Sequence, residues 1–207
     1  MTVSFSGPGL WYATRATGLV ALLLLTASVL LGVLTAGRLQ AAAWPRFLTA
    51  GLHRNIALLA CVFLALHVAT TVVDSYTSIP PGAAFVPFLS PYKRIWLALG
   101  AVALDLFIAL IITSLVRGWL GHQAWRFVHW SGYACWSVAV LHGAGAGTDE
   151  RSAWAGGLTA GCLAVVGAAA AWRILRRWPD RRVLRLGLAA AAVAGVPVAL
   201  TLSGYSW

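Results

Sequence analysis

Six stretches of this 207-residue chain are apolar for long enough to cross a lipid bilayer. A helix spanning the hydrocarbon needs about 20 apolar residues. Residues 12–36, 53–73, 95–116, 127–144, 154–175 and 183–202 come close to or exceed that length. No water is available there to satisfy backbone N–H and C=O groups, so each stretch must pair its own, as a helix does. The expected fold is therefore all-α: a polytopic membrane helix bundle of about six transmembrane helices, with residues 1–207 forming a single domain. Composition agrees, because charged residues make up only 10% of the chain, against about 25% in soluble domains. The length leaves no room for a soluble nucleotide-binding domain beside the spans.

The formal net charge is +10, but it is carried in short runs between the apolar stretches. Such runs are an orientation signal, so the expected partner is membrane lipid and not nucleic acid. Arg38, Arg46 and Arg54 follow the first span, and Arg117 and Arg126 follow the third. Arg173 stands at the end of the fifth, and Arg176, Arg177, Arg181, Arg182 and Arg185 follow it. The alternate loops hold Asp74, Lys93 and Arg94, then Asp149, Glu150 and Arg151, which nearly balance. The positive-inside rule places the first set in the cytoplasm and both termini outside. The expected setting is a cell membrane of the bacterial plasma-membrane type. Arg15 and a leucine run give the first span some look of a signal peptide. Its length, and the lack of an A-x-A site after it, favour a retained helix. Cys61, Cys135 and Cys162 all fall in apolar stretches without a CxxC pair and read as small buried residues.

Chemistry enters through histidine. Of five histidines, His53 and His67 lie on the second span and His129 and His142 on the fourth. Ionisable side chains inside a bilayer are costly and usually functional. Spans two and four run in the same direction, being separated by one helix. The separations of 14 and 13 residues correspond to roughly 20 Å of rise. Two depth-matched pairs result, His53 with His129 toward the cytoplasm and His67 with His142 toward the outside. Each pair could clamp one flat macrocycle. Imidazole is a good iron ligand, and proteins hold haem on its two axial faces. A zinc site would need three or four ligands at one point, whereas these four occupy two depths. The helical phase fits less well. Fourteen residues return His67 to within about 40° of His53, but thirteen leave His142 about 140° from His129. Either Gly132 or a locally unwound turn absorbs the difference, or two haems meet the fourth span from different sides.

The stretch from LHRNIALLACVFLALHV to WRFVHWSGYACWSVAVLHG, with ITSLVR and GTD around it, resembles the ferric reductase-like transmembrane domain family. That family includes the membrane parts of ferric reductases, NADPH oxidases and the haem subunit of a bacterial methionine sulfoxide reductase system. The resemblance implies two b-type haems, with axial iron ligands paired His53/His129 and His67/His142. It implies electron flow from the cytoplasmic to the outer side. Larger members continue into flavin and NAD(P)H domains, whereas this sequence ends at Trp207. A separate electron donor, a flavoprotein or a quinol, is then expected, with an external acceptor that the sequence does not name. Whether the chain is itself an enzyme or an electron-transfer component stays open. A non-redox anchor or assembly subunit is the competing reading, and a small proton transporter a third.

Several further residues carry two readings. Arg54 and Arg126 could pair with propionates of the inner haem, and so count as candidate cofactor-binding residues, or could be positive-inside residues only. Arg15, Lys93 and Arg94 stand in the same position at the outer edge. Asp105 lies well inside the third span and reads as a structural partner for a neighbouring helix, with proton or quinone chemistry as the alternative. Trp136, beside Cys135, could couple the two haems electronically or be an ordinary aromatic. His122 reads as a solvated loop residue.

Overall fold

The computed structural model describes residues 8–37, 45–74, 79–147 and 152–177. The expected span at 183–202, with Pro197, lies outside the described residues, as do Arg38, Asp149, Glu150, Arg151, Arg181, Arg182 and Arg185. The helices are α1 (Pro8–Ala36), α2 (Arg46–Val73), α3 (Arg94–Leu115), α4 (Arg117–Leu120), α5 (His122–His129), α6 (Ser131–Ala146) and α7 (Ala153–Arg177). A 3₁₀ turn at Pro81–Ala84 precedes α3, and no strand occurs among the described residues. Helices α1, α2, α3 and α7 are each long and apolar enough to cross a membrane. The all-α membrane bundle read from the sequence is thus what these residues form, and the chain is a multi-pass membrane protein.

Helix ends follow local chemistry. Proline at the first position of α1 costs nothing, because its missing N–H would be unpaired there anyway. Helix α2 starts at Arg46, two turns before the expected 53. Apolarity marks the part inside the hydrocarbon, and the helix runs on past it.

The fourth expected span differs most. Residues 117–146 form α4, α5 and α6 in place of one helix over 127–144. Gly121 separates the first two at φ 75, a left-handed conformation that glycine adopts without a Cβ clash. Trp130 separates α5 from α6. Its N–H is shared between Arg126 O at 3.2 Å and Phe127 O at 3.3 Å, and its own carbonyl accepts from Tyr133 N at 3.2 Å. The bonds Phe127 O to Trp130 N and Trp130 O to Tyr133 N span i→i+3 and tighten the turn. A 3₁₀ residue advances about 120°, against about 100° in an α-helix, so a residue or two of it recovers only about 20–40° of the roughly 140° offset between His129 and His142. Helix α6 alone has 16 residues, a rise of about 24 Å.

The chain falls into two compact units, Met1–Leu22 with Cys61–Gly147, and Leu23–Ala60 with Thr148–Trp207. In the first unit α3 packs on α6. Small side chains permit this close approach. Ala98, Ala101 and Ala103 of α3 are buried, as are Val140, Ala144 and Gly145 of α6. The Cys135 thiol donates to Ala103 O at 3.3 Å, and a Cβ on Gly145 would fall within the Trp96 indole. Lys93 Nζ donates to Gly145 O at 3.1 Å and Ala146 O at 3.2 Å, closing the last turn of α6. In the second unit Val33 and Ala60 are fully enclosed. Gly37 lets Trp172 of α7 approach so closely that a Cβ would lie 2.7 Å from the indole. Cys135 and Cys162 are buried and Cys61 is half-buried, all as free thiols.

Candidate functional site

Helices α2 and α6 bring His67 and His142 together within the first unit. Their ring centroids are 6.3 Å apart and the ring planes cross at 75°. Each ring is tied by a backbone carbonyl. His67 Nδ1 lies 2.9 Å from Thr14 O of α1, and His142 Nδ1 lies 2.8 Å from Trp96 O of α3. A carbonyl only accepts, so Nδ1 carries the proton in both rings and Nε2 keeps the lone pair that binds a metal. This is the outer-shell arrangement that orients metal-binding histidine generally. Glycine makes room for both rings. A Cβ on Gly18 would sit 2.9 Å from His67 Nδ1, and one on Gly100 would sit 2.7 Å from His142 Nδ1.

The spacing has a chemical meaning. Imidazole nitrogens bound about 2.0–2.1 Å from a shared metal on opposite sides put their ring centroids roughly 6 Å apart. The observed 6.3 Å suits two axial ligands of one iron. Among the described residues no three His, Cys, Asp or Glu side chains converge as a metal-holding group. The donor set at this place is two imidazoles, each with its Nδ1 tied to a carbonyl, which fits a haem.

The inner histidines stand in different units, and each has its own support. His53 Nδ1 lies 2.9 Å from Ser28 O and 3.3 Å from Ser28 Oγ, so its Nε2 is also left as the lone-pair nitrogen. A Cβ on Gly32 would be 3.7 Å from this ring, in ordinary contact. His129 ends α5 and stacks on Trp125, with centroids 4.8 Å apart and planes 25° apart. Trp125 in turn donates from Nε1 to Ser114 Oγ at 3.3 Å.

The remaining candidates separate by place. Arg54 and Arg126 are both exposed. Arg15 lays its guanidinium over Trp11 at 3.9 Å, immediately after the Thr14 that holds His67. Lys93 is engaged with the end of α6, and Arg94 faces the Phe88 ring at 5.9 Å. Asp105 is exposed on α3, which does not support a helix-bridging role for it. Trp136 is buried, and His122 is exposed beside Trp125 at 5.5 Å.

Sequence reasoning missed the residues that orient the rings: Thr14, Gly18, Ser28, Trp96, Gly100 and Trp125. A carbonyl leaves no mark on residue type. The only legible signal was a glycine four residues after each carbonyl that holds an outer-pair ring, as in Thr14–Gly18 and Trp96–Gly100.

No curated protein and no solved structure matches this chain. The family described as ferric reductase like transmembrane component matches residues 17–140. That range includes His53, His67 and His129 and ends two residues before His142. Members generally bind haem and generally work with a separate electron donor. Helices suited to crossing a membrane, paired imidazoles and a family match over more than half its length identify this chain as a member of the ferric reductase like transmembrane component family.

Proposed function

We propose that this chain is a di-haem electron conduit, passing electrons from the cytoplasmic to the outer face of a bacterial plasma membrane. His67 and His142 would hold the outer haem through Nε2, and His53 and His129 the inner one. A b-type haem held by such a pair of imidazoles would supply single-electron transfer. The observation that carries this reading is the 6.3 Å separation of two imidazoles whose Nδ1 atoms are both tied to carbonyls.

The protein supplies orientation and exclusion of water. Thr14 O, Trp96 O and Ser28 O hold Nδ1 of each ring, so that Nε2 would be the nitrogen offered to a metal. Small residues let α3 close against α6 beside His142. Arg54, next to His53 in the chain, and Arg126, three residues before His129, would meet inner propionates. The donor is a separate flavoprotein or a membrane quinol, and the acceptor lies outside. Such a chain works as the membrane component of a reductase.

A pyridine haemochrome assay on purified protein tests this. Two b-type haems per chain are expected, falling to one in His67→Ala or His142→Ala. Unchanged haem content in single replacements of all four histidines would refute the proposal. Colourless, stable wild-type protein would favour the anchor-subunit reading instead.

A further inference from the structure

The same device holds both outer rings. In an α-helix the carbonyl of residue i accepts from the N–H of residue i+4, leaving its second lone pair pointing outward. A side chain at i+4 would shield that lone pair. At Thr14 the residue four on is Gly18, and at Trp96 it is Gly100. Each carbonyl therefore accepts an imidazole N–H, and each glycine lets the ring edge settle into the notch; at Thr14 O the Thr17 hydroxyl also lies 3.1 Å away, but its shorter bond goes to Ala13 O at 2.7 Å. The contacts leave little play. A Cβ on Gly18 would be 2.9 Å from His67 Nδ1 and 3.0 Å from Cε1, and one on Gly100 would be 2.7 Å from both atoms of His142. The notches lie on different helices, α1 and α3, and hold their rings 75° apart.

We infer that the two carbonyl–glycine notches, Thr14 with Gly18 and Trp96 with Gly100, are positioning elements that hold the axial imidazole planes of the outer haem crossed rather than parallel. This rests on reading His67 and His142 as axial ligands. The consequence is electronic. Each imidazole π system mixes with the iron d orbital that its plane selects. Parallel planes act on one d orbital and split it from its partner. Crossed planes act on one each and leave the pair nearly degenerate. Low-spin ferric iron then has a strongly anisotropic magnetic signal, with one dominant low-field line. Parallel ligands give a resolved rhombic three-line pattern.

Low-temperature electron paramagnetic resonance of the oxidised, full-length, haem-loaded protein reads this directly. The outer signal is identified as the one lost in His142→Ala. We expect a single low-field line, and a shift toward a rhombic pattern in Gly18→Ala, where the new methyl turns the His67 ring. A rhombic triplet from the outer haem of wild-type protein would overturn the inference while leaving the ligand assignment intact. An outer signal unchanged in both Gly18→Ala and Gly100→Ala would overturn the positioning role. If His142→Ala removes no haem, the ligand assignment itself fails, and the inference fails with it. The wild-type spectrum decides the plane angle even where a glycine variant does not fold.

Discussion

Replacing Gly100 by alanine should unseat His142 and empty the outer haem site. The new Cβ would stand 2.7 Å from Nδ1 and Cε1 of the ring and 3.1 Å from Nε2. Ordinary contact begins near 3.5 Å, so ring or helix must yield by about 0.8 Å. Taken along the hydrogen bond, that displacement carries Nδ1 from 2.8 Å of Trp96 O to about 3.6 Å, where no bond remains. Overpacking of this kind costs about 1–3 kcal/mol, and the lost bond about 0.5–1.5 kcal/mol more. Loss of an orienting partner typically weakens metal binding by about 10–100-fold. The assay is haem titration followed by the reduced α-band, with Gly143→Ala as the control. Gly143 adjoins His142 in the chain, yet a Cβ there meets nothing within 4 Å. The control should keep full occupancy and gain slightly in helix propensity. If Gly100→Ala binds the outer haem as tightly as Gly143→Ala does, the argument that the ring requires this glycine is wrong.

Other substitutions probe separate parts of the reasoning. Ser28→Ala should retain the inner haem and cost under about 1 kcal/mol, because the shorter bond from His53 goes to the Ser28 carbonyl at 2.9 Å; loss of that haem would make the hydroxyl the true partner. Lys93→Met should lower thermal stability in detergent by about 1–3 kcal/mol by freeing the last carbonyls of α6, and a melting curve identical to wild type would contradict that capping role. Cys135, only 2% exposed, should resist a membrane-permeant maleimide until the protein unfolds. Labelling under native conditions would mean that α3 and α6 part more readily than their packing implies.

Particular residues show what could be read without coordinates and what could not. The fourth span was read as one helix, because hydropathy averages over a window and registers no single tight turn. The break at Trp130 comes from i→i+3 bonding that several residue types could support. Asp105 was read as a bridge between helices. Its exposed position on α3 depends on which face of that helix meets α6, and a lone carboxylate cannot announce that. Arg54 and Arg126 were legible as cations near histidines, but the direction of their side chains was not.

By itself the sequence determined that this chain enters a membrane as apolar helices, and it showed four histidines at nearly equal spacings on two of its apolar stretches. It also carried the residues of the family match. These are properties of composition and spacing, which act through solvation and the fixed rise of a helix. The tertiary structure alone decided how His67 and His142 stand to one another and which nitrogen each presents. It also decided which glycines let them do so. Those depend on backbone carbonyls of α1 and α3, distant in the chain, and every residue type offers the same carbonyl.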